Sequence, residues 1–146
     1  MPYTIVRATR FFKFVKSITD LSTDAKEVRL PPALIQPMAA NDVATAVARV
    51  ALGSPVIGTI EVGGPEQFRL DELVRRDLAA RNDPREVIAD PEALYYGVKL
   101  SERALVPGDD ARLDEERFED WLRQSTIQTA AANQQPAVVA AAPKGL

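Results

Sequence analysis

Tyr3-Thr4-Ile5-Val6-Arg7-Ala8-Thr9 is an apolar, β-prone run that begins directly after Met1 and Pro2. A strand at the edge of a sheet alternates polar and apolar residues. Tyr3, Ile5 and Val6 instead predict a strand covered on both faces, as in a parallel α/β sheet. Such a strand needs neighbours, and nothing upstream of Pro2 supplies them. The start of the chain therefore reads as the middle of a fold.

The chemistry open to the chain is narrow. The 146 residues contain neither cysteine nor histidine. That removes disulfides, thiolate nucleophiles, His-assisted triads and zinc sites built on either residue. A length of this order holds one domain with a small core. No apolar run approaches the roughly 18 residues of a membrane span and no secretory signal is present, so a cytoplasmic location is the default expectation. The net charge of −3 argues against a non-specific nucleic-acid binder. Neither nucleic acid nor membrane is an expected partner. Arg7, Arg10, Lys13 and Lys16 recur every three residues and predict a partly basic helix face, read first as solvated surface and second as an anion contact.

Periodicity predicts a strand over 3–9 and a helix over 10–18 that packs Phe11, Phe14 and Val15. A polar turn follows, then a short extended piece at Glu27–Leu30. Pro31, Pro32 and Pro37 hold the next segment extended, with a short strand between Ala33 and Met38. Asn41 is a good N-cap, with Asp42 favourable in the first turn. Val43, Val47, Val50 and Ala51 then share a face, and Gly53 stops that helix. Val56–Val62 reads as a strand closed by Gly63-Gly64-Pro65. A helix over Arg69–Ala80 carries Leu70, Leu73, Val74 and Leu78 on one stripe, and Glu86–Ala89 is a strand candidate. Residues 91–112 look irregular. Leu113, Phe118, Trp121 and Leu122 form the inner face of a last acidic helix. From Ser125 the composition turns to alanine and glutamine without a period, predicting a folded part over 1–124 and a disordered tail over 125–146.

Taken in order, Pro2-Tyr-Thr-Ile-Val-Arg-Ala-Thr9, Leu30-Pro-Pro-Ala-Leu-Ile-Gln-Pro37, Asn41-Asp-Val-Ala44, Gly58-Thr-Ile-Glu-Val-Gly-Gly-Pro-Glu66 and Leu70-Asp-Glu-Leu73 resemble the late part of atypical short-chain dehydrogenase/reductases of the NmrA-like type. The likeness covers about residues 2–124. It implies an α/β fold: the C-terminal portion of a Rossmann-like reductase, with a small substrate-side α/β subdomain and without its N-terminal nucleotide-binding half. The implied cofactor is NAD(P). The Gly-x-x-Gly-x-x-Gly that would hold its pyrophosphate has no counterpart in these residues.

In open parallel sheets ligands bind at the carboxyl ends of strands. Arg7, Ala8 and Thr9 end the first strand, and the resemblance places them beside the nicotinamide end of the cofactor. Phe11 and Phe12 would then wall the substrate pocket. Arg10 and Lys13 stand where relatives are expected to carry glutamine and glutamate, so this edge is more basic. Other motifs have plainer readings. Tyr95-x-x-x-Lys99 has the spacing of a short-chain dehydrogenase catalytic pair, but it follows Asp90-Pro91 in an irregular segment with Gly97 inside it. It is read as coincidence, and no catalytic residue is assigned. Gly63-Gly64-Pro65 is a strand-ending turn, because proline removes an amide that a phosphate cradle would need. Asp42 is helix-start charge. Asp109-Asp110 and Asp114-Glu115-Glu116 read as surface charge, without EF-hand spacing, so no metal is expected.

Three functions follow. The chain is the substrate-side half of an NAD(P)-dependent oxidoreductase, inactive until another polypeptide supplies the nucleotide-binding half. Alternatively it is a non-catalytic NmrA-like regulatory or protein-interaction module. Or it is the remnant of a longer gene product, which an upstream in-frame segment encoding the glycine motif would reveal. The first reading calls for a partner chain, or a homodimer, to cover the strand edges.

Overall fold

The computed structural model describes residues 1–134 as a mixed α/β structure. The chain runs through β1 (Thr4–Ala8), α1 (Phe14–Leu21), β2 (Thr23–Asp24), β3 (Glu27–Leu30), β4 (Leu34–Ile35) and α2 (Ala40–Leu52). It continues through β5 (Gly58–Gly63), β6 (Phe68–Arg69), α3 (Leu70–Ala80), β7 (Glu86–Ala89), β8 (Arg112–Leu113) and α4 (Phe118–Gln134). One sheet has the order β1-β5-β8 and is parallel throughout. A second has the order β2-β3-β7, with β3 and β7 parallel, and β4 pairs with β6 in an antiparallel ribbon.

The expectation for the first strand needs correcting. Burial along β1 alternates, so within this chain only one face is covered. Val6 and Ala8 join Ile60 and Val62 of β5 over Val43 and Ala46 of α2. On the other face Tyr3 is 49% exposed and Ile5 54%, because no described element packs there. β1 is also an outer strand of its sheet.

Other boundaries moved for local reasons. The helix expected at 10–18 begins at Phe14, because Phe11 bridges to Met38 and residues 12–13 form a turn before the helix. The Phe12 N–H donates to the Met38 carbonyl at 2.9 Å, and the Met38 N–H donates to the Arg10 carbonyl at 2.9 Å. Asn41 is not the cap of α2: Ala39 occupies that position in extended conformation without a side-chain cap, and Asn41 lies inside the first turn. Val47 faces solvent, whereas Ala46 takes the buried place beside Val43. Val56 and Ile57 precede β5 and are exposed. Arg7, Arg10, Lys13 and Lys16 do not share a helix face, since only Lys16 lies within α1.

The stripe on α3 is as expected, with Leu70, Leu73, Val74 and Leu78 all buried. They pack with Val15 and Ile18 of α1 and with Phe118 and Leu122 of α4 in the main core. Phe118 sits among three aromatic rings, with centroids 5.6 Å from Phe12, 5.9 Å from Phe68 and 6.1 Å from Trp121. α4 continues helical past Ser125 to Gln134, so the first ten residues of the expected tail belong to this helix. The rest of that segment lies outside the described residues.

Two predictions follow from this packing. Phe118→Ala should cost about 3–5 kcal/mol, the range for emptying a filled aromatic site, measured by urea unfolding. Asp71 is buried at the start of α3 and accepts from Arg75 at 2.6 Å and from Arg69 at 3.2 Å. Burial pushes its carboxyl up, but the two guanidiniums outweigh burial and hold it below the ordinary value of 3.8. A lowered folded value means that the stabilisation is present above 3.8 and is lost as pH falls through the folded value. Asp71→Asn should therefore cost about 1–2 kcal/mol at neutral pH, a modest figure because the arginines are half exposed. The difference from the parent should vanish in acid unfolding curves.

Candidate functional site

Parallel pairing sets β1 and β5 in register, so that Arg7 lies opposite Glu61 and Ala8 opposite Val62. Beyond Ala8 the strand is prolonged by the Thr9 N–H, which donates to the Val62 carbonyl at 3.1 Å. At this carboxyl end the structure opens a cavity of about 550 Å³. Arg7, Ala8, Thr9 and Arg10 form one wall, with Phe11 and Phe14 beside them. Glu61 and the 104–107 loop form the other side.

Arg7, Ala8, Thr9 and Phe11 thus converge on one cavity, at the strand ends where the sequence places them. Phe12 does not. It is 1% exposed and packs against Phe118 and Trp121. The reason is the local backbone: Phe11 is held at the bridge to Met38, and the chain turns at residues 12–13 directly after it. Phe11 takes the cavity side and Phe12 the core side.

Three contributors to the cavity carried little sequence signal. Phe14 reads as a core residue but lies at the cavity, 37% exposed, with its ring 5.7 Å from that of Phe11. Glu61 is an acid inside an apolar strand, the one mark that sets it apart in the sequence. Its Oε1 accepts from Arg7 Nη1 at 3.4 Å and its Oε2 from the Gly108 N–H at 2.6 Å. The 104–107 loop is irregular and is brought in by backbone pairing: the Gln36 N–H donates to the Leu105 carbonyl at 3.3 Å, and Ile35 bridges to Leu105.

The cavity is cationic on balance. Arg7 makes only the long contact to Glu61. Arg10 has no carboxylate partner among the described residues, and its guanidinium lies 5.9 Å from the centre of the Tyr95 ring. At the cavity wall the Thr9 hydroxyl oxygen is shielded from solvent without a hydrogen-bond partner. The uncompensated guanidinium suits a ligand with anionic groups.

The remaining motifs are accounted for structurally. Tyr95 and Val98 exchange backbone hydrogen bonds of 2.8 and 3.0 Å, with Tyr96 at φ 48° and Gly97 at φ 78° between them. That is a tight two-residue turn, in which glycine accepts the left-handed conformation. It leaves Tyr95 6% exposed in the core and Lys99 on the surface, 4.0 Å from Glu92. Burial pushes the Tyr95 phenol up, with Arg10 pulling the other way. Gly64 is packed so closely that a Cβ there would stand 1.7 Å from the Pro37 carbonyl oxygen. The Gly64 carbonyl also accepts from buried Gln36 Nε2 at 2.7 Å. The Gly63-Gly64 turn is filled by protein and has no room for a phosphate.

Asp42 accepts from the Glu116 N–H at 3.3 Å. Asp114 nearby is less exposed than a surface acid: burial, then Asp42, pushes its carboxyl up. Among the described residues no cluster of acids is gathered as a metal site, and no helix is long and apolar enough to cross a membrane.

No protein-family model matches the chain. No curated protein matches it either. A solved structure does: a hypothetical dTDP-4-dehydrorhamnose reductase from Sulfolobus tokodaii is similar at 22% identity with a TM-score of 0.50, over 80% of this chain. The likeness is one of fold: a mixed α/β arrangement with a parallel sheet. The chain spans only 40% of the length of that structure.

The Glu61 clamp is directly testable. Glu61→Ala removes both contacts, and a hydrogen bond to a charged group is worth about 1.5–3 kcal/mol. Amide exchange at Gly108 should then speed by at least about tenfold while the amides of α3 stay protected. Unchanged exchange at Gly108 would show that the β4 pairing alone holds the loop.

Proposed function

We propose that this chain forms the substrate-side half of an NAD(P)-dependent oxidoreductase of the NmrA-like short-chain dehydrogenase/reductase type, and that it is inactive alone. The observation that carries this reading is the cavity at the carboxyl ends of β1 and β5, lined by Arg7, Ala8, Thr9 and Phe11. Ligands of open parallel sheets lie at such strand ends. The basic wall of Arg7 and Arg10 suits an acidic or carbonyl-bearing substrate beside the nicotinamide end of the cofactor. The pyrophosphate end does not fit, because the Gly63-Gly64 turn is occupied by Pro37. The phosphate cradle has to come from another polypeptide segment.

The first sheet supplies a seat for that segment. β1 is an outer strand, and Tyr3 and Ile5 stand exposed on its uncovered face. Parallel sheets are stable when both faces are covered. A nucleotide-binding half that adds a strand beside β1 and a helix over Ile5 would meet both needs. The same uncovered face favours a second reading, a non-catalytic module that docks on a protein partner or on a second copy of itself.

NADPH titration by calorimetry separates these readings, using the chain alone and then mixed with a polypeptide that carries a Gly-x-x-Gly-x-x-Gly half. The expected result is no binding by the chain alone and binding by the mixture, abolished by Thr9→Val with Arg7→Ala. Failure of the mixture to bind NADPH, although the two chains co-purify, would leave only the non-catalytic module.

A further inference from the structure

A second cavity, of about 630 Å³, shares no lining residue with the first. It lies where α1, the end of α3 and α4 meet. Phe12, Trp121 and Leu122 form an apolar floor, with the Phe12 and Trp121 ring centres 5.5 Å apart. The charged groups that line it are mostly basic: Lys13, Lys16 and Arg81 stand against Asp77 alone. Asp77 is buried and already ion-paired with Arg81. Lys16 is held by Asp20 at 2.9 Å, one turn along α1. Lys13 has no acidic partner among the described residues, so the cavity carries one uncompensated ammonium beside an aromatic floor.

A pocket of this size with a mainly apolar lining and a few convergent polar groups has the anatomy of a small-molecule site. Trp121 is partly exposed there, an aromatic face that selects a planar ring stacking on it or meeting it edge-on. The free ammonium selects an anionic substituent. The Arg81–Asp77 pair is neutral as a unit and adds no net attraction. We propose that this cavity binds small aromatic acids, an aryl body on Trp121 with a carboxylate or sulfonate on Lys13. This site is independent of the cavity at the strand ends and of any reading of it.

Trp121 is the single tryptophan of the chain, so its emission reports occupancy without a label. The probe is anilinonaphthalene sulfonate, with uncharged phenylnaphthylamine as its neutral counterpart. The proposal expects saturable quenching of Trp121 with energy transfer to the sulfonate. Affinity should fall by about tenfold in Lys13→Glu, the scale of one lost charge-assisted contact, and the neutral probe should bind more weakly by a similar factor. Lys13 is exposed, and unchanged far-UV circular dichroism will show that this variant folds. Ile5→Ser, on the uncovered face of β1, should leave the titration unchanged. Equal binding by parent and Lys13→Glu would overturn the proposal. So would loss of the signal in Ile5→Ser, which would place the probe on the open sheet, or quenching that never saturates.

Discussion

The structure turns on Met38. Its N–H and carbonyl are both spent on the segment 10–12, one bond to the Arg10 carbonyl and one from the Phe12 N–H. Those two bonds hold Phe11 at a bridge past the end of β1, ahead of the turn that leads into α1 at Phe14, and tie the start of α2 to the first sheet. The Met38 side chain is itself fully buried beneath that sheet with Ala46 and Val62. Met38 thus helps join the parallel sheet to the rest of the chain. A buried backbone donor or acceptor left unpaired costs free energy comparable to a lost hydrogen bond, so the segment has little freedom to rearrange.

The same pairing divides the chemistry of the molecule. Because the chain turns at residues 12–13 directly after the bridge, Phe11 and Phe12 part company at Met38. Phe11 stands with Arg7, Thr9 and Arg10 at the strand-end cavity. Phe12 turns into the aromatic cluster of Phe68, Phe118 and Trp121 and becomes the floor of the helical cavity. The basic residues divide likewise, Arg7 and Arg10 to one cavity and Lys13 and Lys16 to the other. What reads in sequence as one basic helix face is two separate positive surfaces.

Cover for the first sheet is the second organising constraint. α2 seals one face, and the other holds exposed Tyr3 and Ile5 on an outer strand. The apolar character of β1 suits a strand buried on both sides, while its surroundings in this chain bury only one. That mismatch between pattern and burial is what a segment docking beside β1 would resolve.

Much of the α/β order was legible from residue patterns alone. The stripe Leu70, Leu73, Val74 and Leu78 specified α3, because helix period and burial coincide there. β5 and β7 followed from β-branched runs between breakers, and Arg7, Ala8 and Thr9 were recognisable as a strand end. The helical continuation of α4 beyond Ser125 was not legible, since an alanine-rich stretch has high helix propensity but no period to mark a packed face. Nor were the fate of Phe12, the clamp of Glu61 on Gly108, or the recruitment of the 104–107 loop. Each depends on a partner distant in the sequence: Met38 for Phe12, Gly108 for Glu61, and the strand of Ile35 for the loop. The sequence by itself determined the longer elements, β1, β5, β7, α2 and α3, because those choices rest on local periodicity. Only the tertiary structure decided which side chains share a cavity, because that rests on hydrogen bonds between segments with no local signature.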